Sequence, residues 1–128
     1  MLEGNMQTRE FTLPEWEMVG GESQRRIFEL YNSKGQECNL DGWSASISII
    51  DFVNRGGDPY LTKPVELTAS STGNYSIATV TLDPSETLSF SGKYIYQLSF
   101  KDMFGNIGIP RHGILQVIRN IDTAFVEG

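Results

Sequence analysis

One cysteine and one histidine in 128 residues leave little from which to build a reactive centre. Cys38 has no partner for an internal disulfide, so folding does not depend on an oxidising compartment. It lies in Gln36-Glu37-Cys38-Asn39-Leu40 without a motif-partnered histidine and reads as a small, buried or half-buried thiol. His112 stands in Pro110-Arg111-His112-Gly113 at the entry to a strand, with no nucleophile or acid marked out beside it, which argues against a triad. No Asp-x-Asp-x-Asp-Gly loop marks a calcium site, and no segment singles out the paired carboxylates of a glycosidase. A signal peptide and apolar runs of membrane-spanning length are also lacking. Basic residues are few: ten Lys and Arg against sixteen Asp and Glu give a net charge of −6, the wrong sign for holding a polyanion by phosphate neutralisation. The basic pair Arg25-Arg26 falls in a strand-like segment, where alternate side chains leave by opposite faces and cannot form one patch. On these grounds no enzyme activity, cofactor, metal, nucleic acid or membrane is expected.

What the chain does have is apolar and aromatic. Hydrophobic residues make up 39% of it and the aromatics are seven Phe, five Tyr and two Trp, enough for one domain to bury a core without metal or disulfide. Period-two alternation recurs along most of its length, and nothing sustains a helical period. Tyr94, Tyr96, Leu98 and Phe100 share one face of Gly92 to Lys101, and a turn over Asp102 to Ile107 leads into a less cleanly alternating strand from Gly108 to Asn120. Trp43, Ala45, Ile47 and Ile49 share a face of Trp43 to Val53, opposite Ser44, Ser46 and Ser48. Trp43, Ile47, Ile49, Leu98 and Phe100 are therefore the expected centre of the core. Further strands are read at Gln7 to Leu13 before Pro14, Gln24 to Tyr31, Val65 to Ala69 and Tyr75 to Leu82. Asp83-Pro84-Ser85-Glu86 has the cap and first-turn proline of a single helical turn. Turn signals about every ten residues point to an all-β protein, an antiparallel sandwich of about seven to eight strands over residues 7–121. Residues 1–6 read as an N-terminal arm or a vector remnant, and 122–128 as a C-terminal tail.

Two places stand out for recognition. Asn54-Arg55-Gly56-Gly57-Asp58-Pro59-Tyr60 is the strongest loop signal, longer than a tight hairpin needs, and offers Arg55, Gly56, Gly57, Asp58 and Tyr60 as contacts. Trp16, flanked by Glu15 and Glu17 outside any clear strand, is either an exposed contact residue or a packing lid over one end of the sandwich.

The run Gly92-Lys93-Tyr94-Ile95-Tyr96 resembles the tyrosine corner of immunoglobulin-like sandwiches, with Tyr96 where antibody domains carry a cysteine. That resemblance expects the Tyr94 hydroxyl to bond the backbone of the preceding connection. Together with Gly21-Glu22 before Ile27-Phe28-Glu29-Leu30, the turn at Gly35, Cys38-Asn39-Leu40-Asp41-Gly42, Asp102, Gly105-Asn106 and Gly113, the pattern resembles the N-terminal domain family of the phage baseplate upper protein. The resemblance implies an immunoglobulin-like structural protein of a tailed bacteriophage or prophage, in baseplate, tail or fibre. It would be made in the bacterial cytoplasm, assembled into the virion, and act by binding other virion proteins or its own copies. The alternative is a sandwich module that binds carbohydrate or a cell surface, with a glycan as partner.

Overall fold

Alternation of apolar and polar residues becomes seven strands: β1 (Trp16–Val19), β2 (Gln24–Glu29), β3 (Ser44–Asp51), β4 (Leu61–Thr68), β5 (Ile77–Leu82), β6 (Gly92–Lys101) and β7 (Arg111–Ile118). Two short helices, α1 (Pro84–Thr87) and α2 (Thr123–Glu127), follow β5 and β7. The computed structural model describes residues 13–32, 34–54, 56–108 and 110–127. None of the helices among them is long and apolar enough to cross a membrane.

The strands form one sheet in the order β1-β7-β6-β3-β4-β5-β2, curled into a half-barrel around the core. The all-β expectation holds, but the sheet is mixed and not purely antiparallel, because β1 runs parallel to β7 with Trp16 opposite Leu115. The curl is made by β4. Its first part pairs with β3 and its last three residues, Glu66 to Thr68, pair with β5. Pro64 lies inside this strand, which therefore starts earlier than the expected Val65. It has no partner on the β5 side, where a proline's missing N–H would break a ladder.

Two other departures have physical reasons. The expected strand Gln7 to Leu13 lies outside the described residues except for Leu13, and the first strand among the described residues is β1. Its Trp16 and Met18 point inward while Glu17 and Val19 point out, so the carboxylate next to Trp16 is the polar half of an alternation only four residues long. The tail contains the single turn α2, which has no buried residue. At α1 the sequence reading is met: Pro84 opens the helix, and the Asp83 N–H donates to the Glu86 carboxylate at 2.8 Å.

The inward face of β6 is the spine of the core. Tyr94, Tyr96, Leu98 and Phe100 are buried, as are Ile47 and Ile49 opposite them; Trp43 is only half-buried at the rim. Tyr96 sits opposite Gly113 of β7, and a Cβ built on Gly113 would stand 3.0 Å from the Tyr96 ring and 2.8 Å from the Leu13 carbonyl oxygen. The glycine thus gives the ring room to lean over β7. There it meets Trp16 edge-on, with centroids 5.5 Å apart and an angle of 90°, and Phe28 at 5.8 Å. Its hydroxyl donates to the Pro14 carbonyl, and burial raises its pKa well above the ordinary phenol value. Tyr94 behaves as the corner residue expected: its hydroxyl donates to the Ser91 carbonyl at 3.0 Å and accepts the Ser91 N–H at 2.9 Å, while its ring stacks on Phe90.

Tyr94→Phe leaves the packing and removes both Ser91 bonds, so urea melts should show a loss of about 1 kcal/mol. Gly113→Ala should lose about 1–3 kcal/mol by overpacking. A Gly113→Ala protein as stable as the wild type would show that the ring does not need this space.

Candidate interaction surface

The curled sheet presents loops at two ends. At the first end lie the loop from β3 to β4 and the connection from β5 to β6. Asp51 organises the start of that loop. One carboxylate oxygen accepts the Val53 N–H at 3.0 Å, and the other lies 3.4 Å from the Tyr60 hydroxyl, whose pKa the Asp51 charge pushes up. The loop closes through Tyr60 N–H to the Ile49 carbonyl at 2.8 Å and Gly57 N–H to the Asn54 carbonyl at 3.4 Å. Tyr60 lays its ring edge-on to Tyr94 at 5.8 Å and tilted toward Phe90 at 6.0 Å, yet remains 55% exposed. Gly56, Gly57 and Asp58 are exposed beside it, and Arg55 lies outside the described residues. The loop residues named from the sequence, Arg55 apart, therefore share one exposed segment anchored to the corner tyrosine.

Trp16 does not join them. It is fully buried between Phe28 and Tyr96, and its indole N–H donates to the Gln24 side chain at 3.2 Å. The reading of Trp16 as an exposed contact residue is corrected: parallel pairing of β1 with β7 carries it into the core.

The second end holds what sequence reasoning missed. Asp102 begins the β6–β7 turn and accepts the N–H groups of Asn106 at 2.8 Å and Phe104 at 2.9 Å, with the Asn106 side chain at 3.1 Å. Gly105 supplies the positive φ of 88° that the turn requires. With its backbone satisfied in this way, the turn displays Met103, Phe104 and Ile107 at 67%, 82% and 62% exposure. Met103 extends over Gly42, where a Cβ would come within 2.7 Å of its methyl carbon, and the half-buried Trp43 ring lies against Gly108. The signal was present in the sequence as three large apolar residues, Met103, Phe104 and Ile107, inside a six-residue turn whose shape Asp, Gly and Asn already determine.

Glu37 fixes the neighbouring loops at this end. Its carboxylate accepts from Thr72 at 2.6 Å and Ser70 at 2.8 Å, with Ser76 and Asn74 at 3.4 Å, and so ties the β2–β3 connection to the β4–β5 turn. Arg111 reaches the Tyr31 carbonyl at 2.7 Å and lies 3.6 Å from the half-buried Cys38 sulfur. His112 is exposed, and its carbonyl accepts the Leu13 N–H. Among the described residues no group of three or more His, Cys, Asp or Glu is placed to hold a metal ion.

Hydrogen bonds from Thr72 and Ser70 hold the Glu37 carboxyl below its ordinary pKa, and the Asn106 N–H does the same for Asp102. Carboxyls depressed on folding add stability that is fully present above the unfolded values near ~4 and is lost as pH falls through the folded ones. Urea midpoints should therefore hold from neutral pH down to about 5 and fall below about 4. A Glu37→Gln, Asp102→Asn double variant should have a shallower acid limb. An unchanged limb would assign the acid sensitivity to other groups.

Comparison with protein-family models and with curated proteins finds no match for the chain.

Proposed function

We propose that the protein is a non-enzymatic structural module of a tailed bacteriophage or prophage particle, an immunoglobulin-like sandwich that docks other virion proteins through its loops. The sandwich part of this reading is supported by strand order. Labelling β1 to β7 as A to G, with β4 as the connecting strand, the pairs β2–β5, β3–β6 and β6–β7 are the B–E, C–F and F–G pairs of the immunoglobulin arrangement. Tyr94 supplies the corner between β5 and β6, and the Phe28–Tyr96 contact spans β2 and β6, where antibody domains place their disulfide. The phage part rests on the sequence resemblance.

The observation that carries the docking function is the exposed Met103, Phe104 and Ile107 on a turn held rigid by Asp102. Large apolar side chains on a preorganised loop lose little entropy on binding and supply the desolvated centre of an interface. The Gly56 to Tyr60 segment provides a second, more polar contact at the opposite end.

The test is co-purification with tail structural proteins of a phage or prophage that encodes the chain. Met103→Ser with Phe104→Ser should leave thermal stability within about 0.5 kcal/mol, because both side chains are exposed, and weaken that association by at least about tenfold. Specific retention of the wild type on a glycan array, with no particle protein bound, would favour the carbohydrate-binding alternative.

A further inference from the structure

Among the described residues β2 ends the sheet, and its outer edge has a self-complementary pattern. The Leu30 N–H donates to the carbonyl of Ser76, the residue opposite it in the β2–β5 register. Backbone groups alternate sides along a strand, so those of Gln24, Arg26 and Phe28 also face β5, and those of Arg25, Ile27 and Glu29 face away from it. The side chains of these three residues are exposed as well, Ile27 at 52%. Arg111 occupies the next outward carbonyl, that of Tyr31. An edge of three residues is thus left, with a groove of about 360 Å³ beside it bounded by Leu13, Pro14 and Arg111.

We propose that this edge pairs with β2 of a second copy, antiparallel about a twofold axis at Ile27. In that register all three outward residues become hydrogen-bonded pairs. Arg25 meets Glu29 of the second copy, Ile27 meets its own symmetry mate, and Glu29 meets Arg25. Opposite charges face each other at both ends and an apolar pair sits between them, the arrangement that favours directly opposed cross-strand residues. A shift by one residue would oppose outward-facing groups to inward-facing ones. A shift by two would put Ile27 against a charge. The proposal uses neither loop end and extends the assembly reading by naming a partner, a second copy of this chain, that joins two sheets edge to edge.

The test is sedimentation of the full chain over a wide concentration range, with amide exchange at Arg25, Ile27 and Glu29. The expected result is reversible dimerisation with concentration-dependent protection of these amides. Arg25→Glu alone and Glu29→Arg alone should each raise the dissociation constant by at least about tenfold, and the double reversal should restore it, because the symmetric pair is rebuilt with its signs exchanged. Ile27→Pro, which removes an outward N–H from an edge strand, should abolish dimerisation; the charge variants keep the test open if that protein does not fold. A chain that stays monomeric, or a dimer indifferent to the charge variants, overturns the proposal. Protection that is independent of concentration and disappears when residues 1–12 are deleted also overturns it, in favour of the chain's own N-terminal segment on this edge. Loop-dependent binding to particle proteins that persists in a monomer would leave the docking function standing while this pairing fails.

Discussion

Three aromatic rings from three strands hold the curled sheet closed. Trp16 of β1 packs edge-on to Phe28 of β2 and Tyr96 of β6, with centroids 6.3 and 5.5 Å away. Among the described residues β1 and β2 are the two ends of the strand order, and β6 lies between β7 and β3. The trio therefore joins both ends of the sheet to its middle. Arg26 covers the outside, its guanidinium carbon 5.6 Å from the Trp16 centroid and 5.8 Å from that of Phe28, and its guanidinium reaches the Glu15 carbonyl. A chain with a single cysteine has no disulfide to do this. Aromatic area and edge-to-face geometry take its place.

Closure at the seam lets the loops be specified locally. Asp51 and Asp102 each satisfy donors within their own loops, while Glu37 ties its loop to the β4–β5 turn. Such carboxylate-centred turns are set largely by neighbouring residues in the sequence, and they leave the outward side chains free of structural duty. Met103 and Phe104 are therefore able to be large and apolar without being core. The same separation applies to Arg25 and Arg26, adjacent in sequence and opposite in role: one lies on the outer edge of β2 and the other on the seam.

Strands whose apolar face is long enough to repeat were legible from alternation alone. β6 has the bounds expected of it, and the inward faces of β3 and β6 are the ones read from Ile47, Ile49, Leu98 and Phe100. The Tyr94 corner was legible because it needs only three residues of separation. β1 was not, since two inward residues make no period and its partner, β7, is nearly a hundred residues away. Trp16 was misplaced with it. The change of partner in β4 was equally hidden, because Pro64 looks like a strand boundary until pairing on each side is known. At the candidate interaction surface, Gly56 to Tyr60 could be read from loop composition, whereas Met103 and Phe104 resembled any apolar pair until the turn fixed them outside.

The proposed assembly function would need a scaffold that stays shut while loops and edge make contact, and the aromatic trio joins both ends of the sheet to its middle. The most direct measurement is a double-mutant cycle between Trp16→Leu and Tyr96→Leu, followed by urea unfolding. If the rings act as one interlock, the first loss leaves less for the second to remove, and the two losses fail to add by about 0.5–1.5 kcal/mol. Losses that add to within a few tenths of a kcal/mol would mean that each ring contributes only its own burial, and that something other than this cluster closes the sheet.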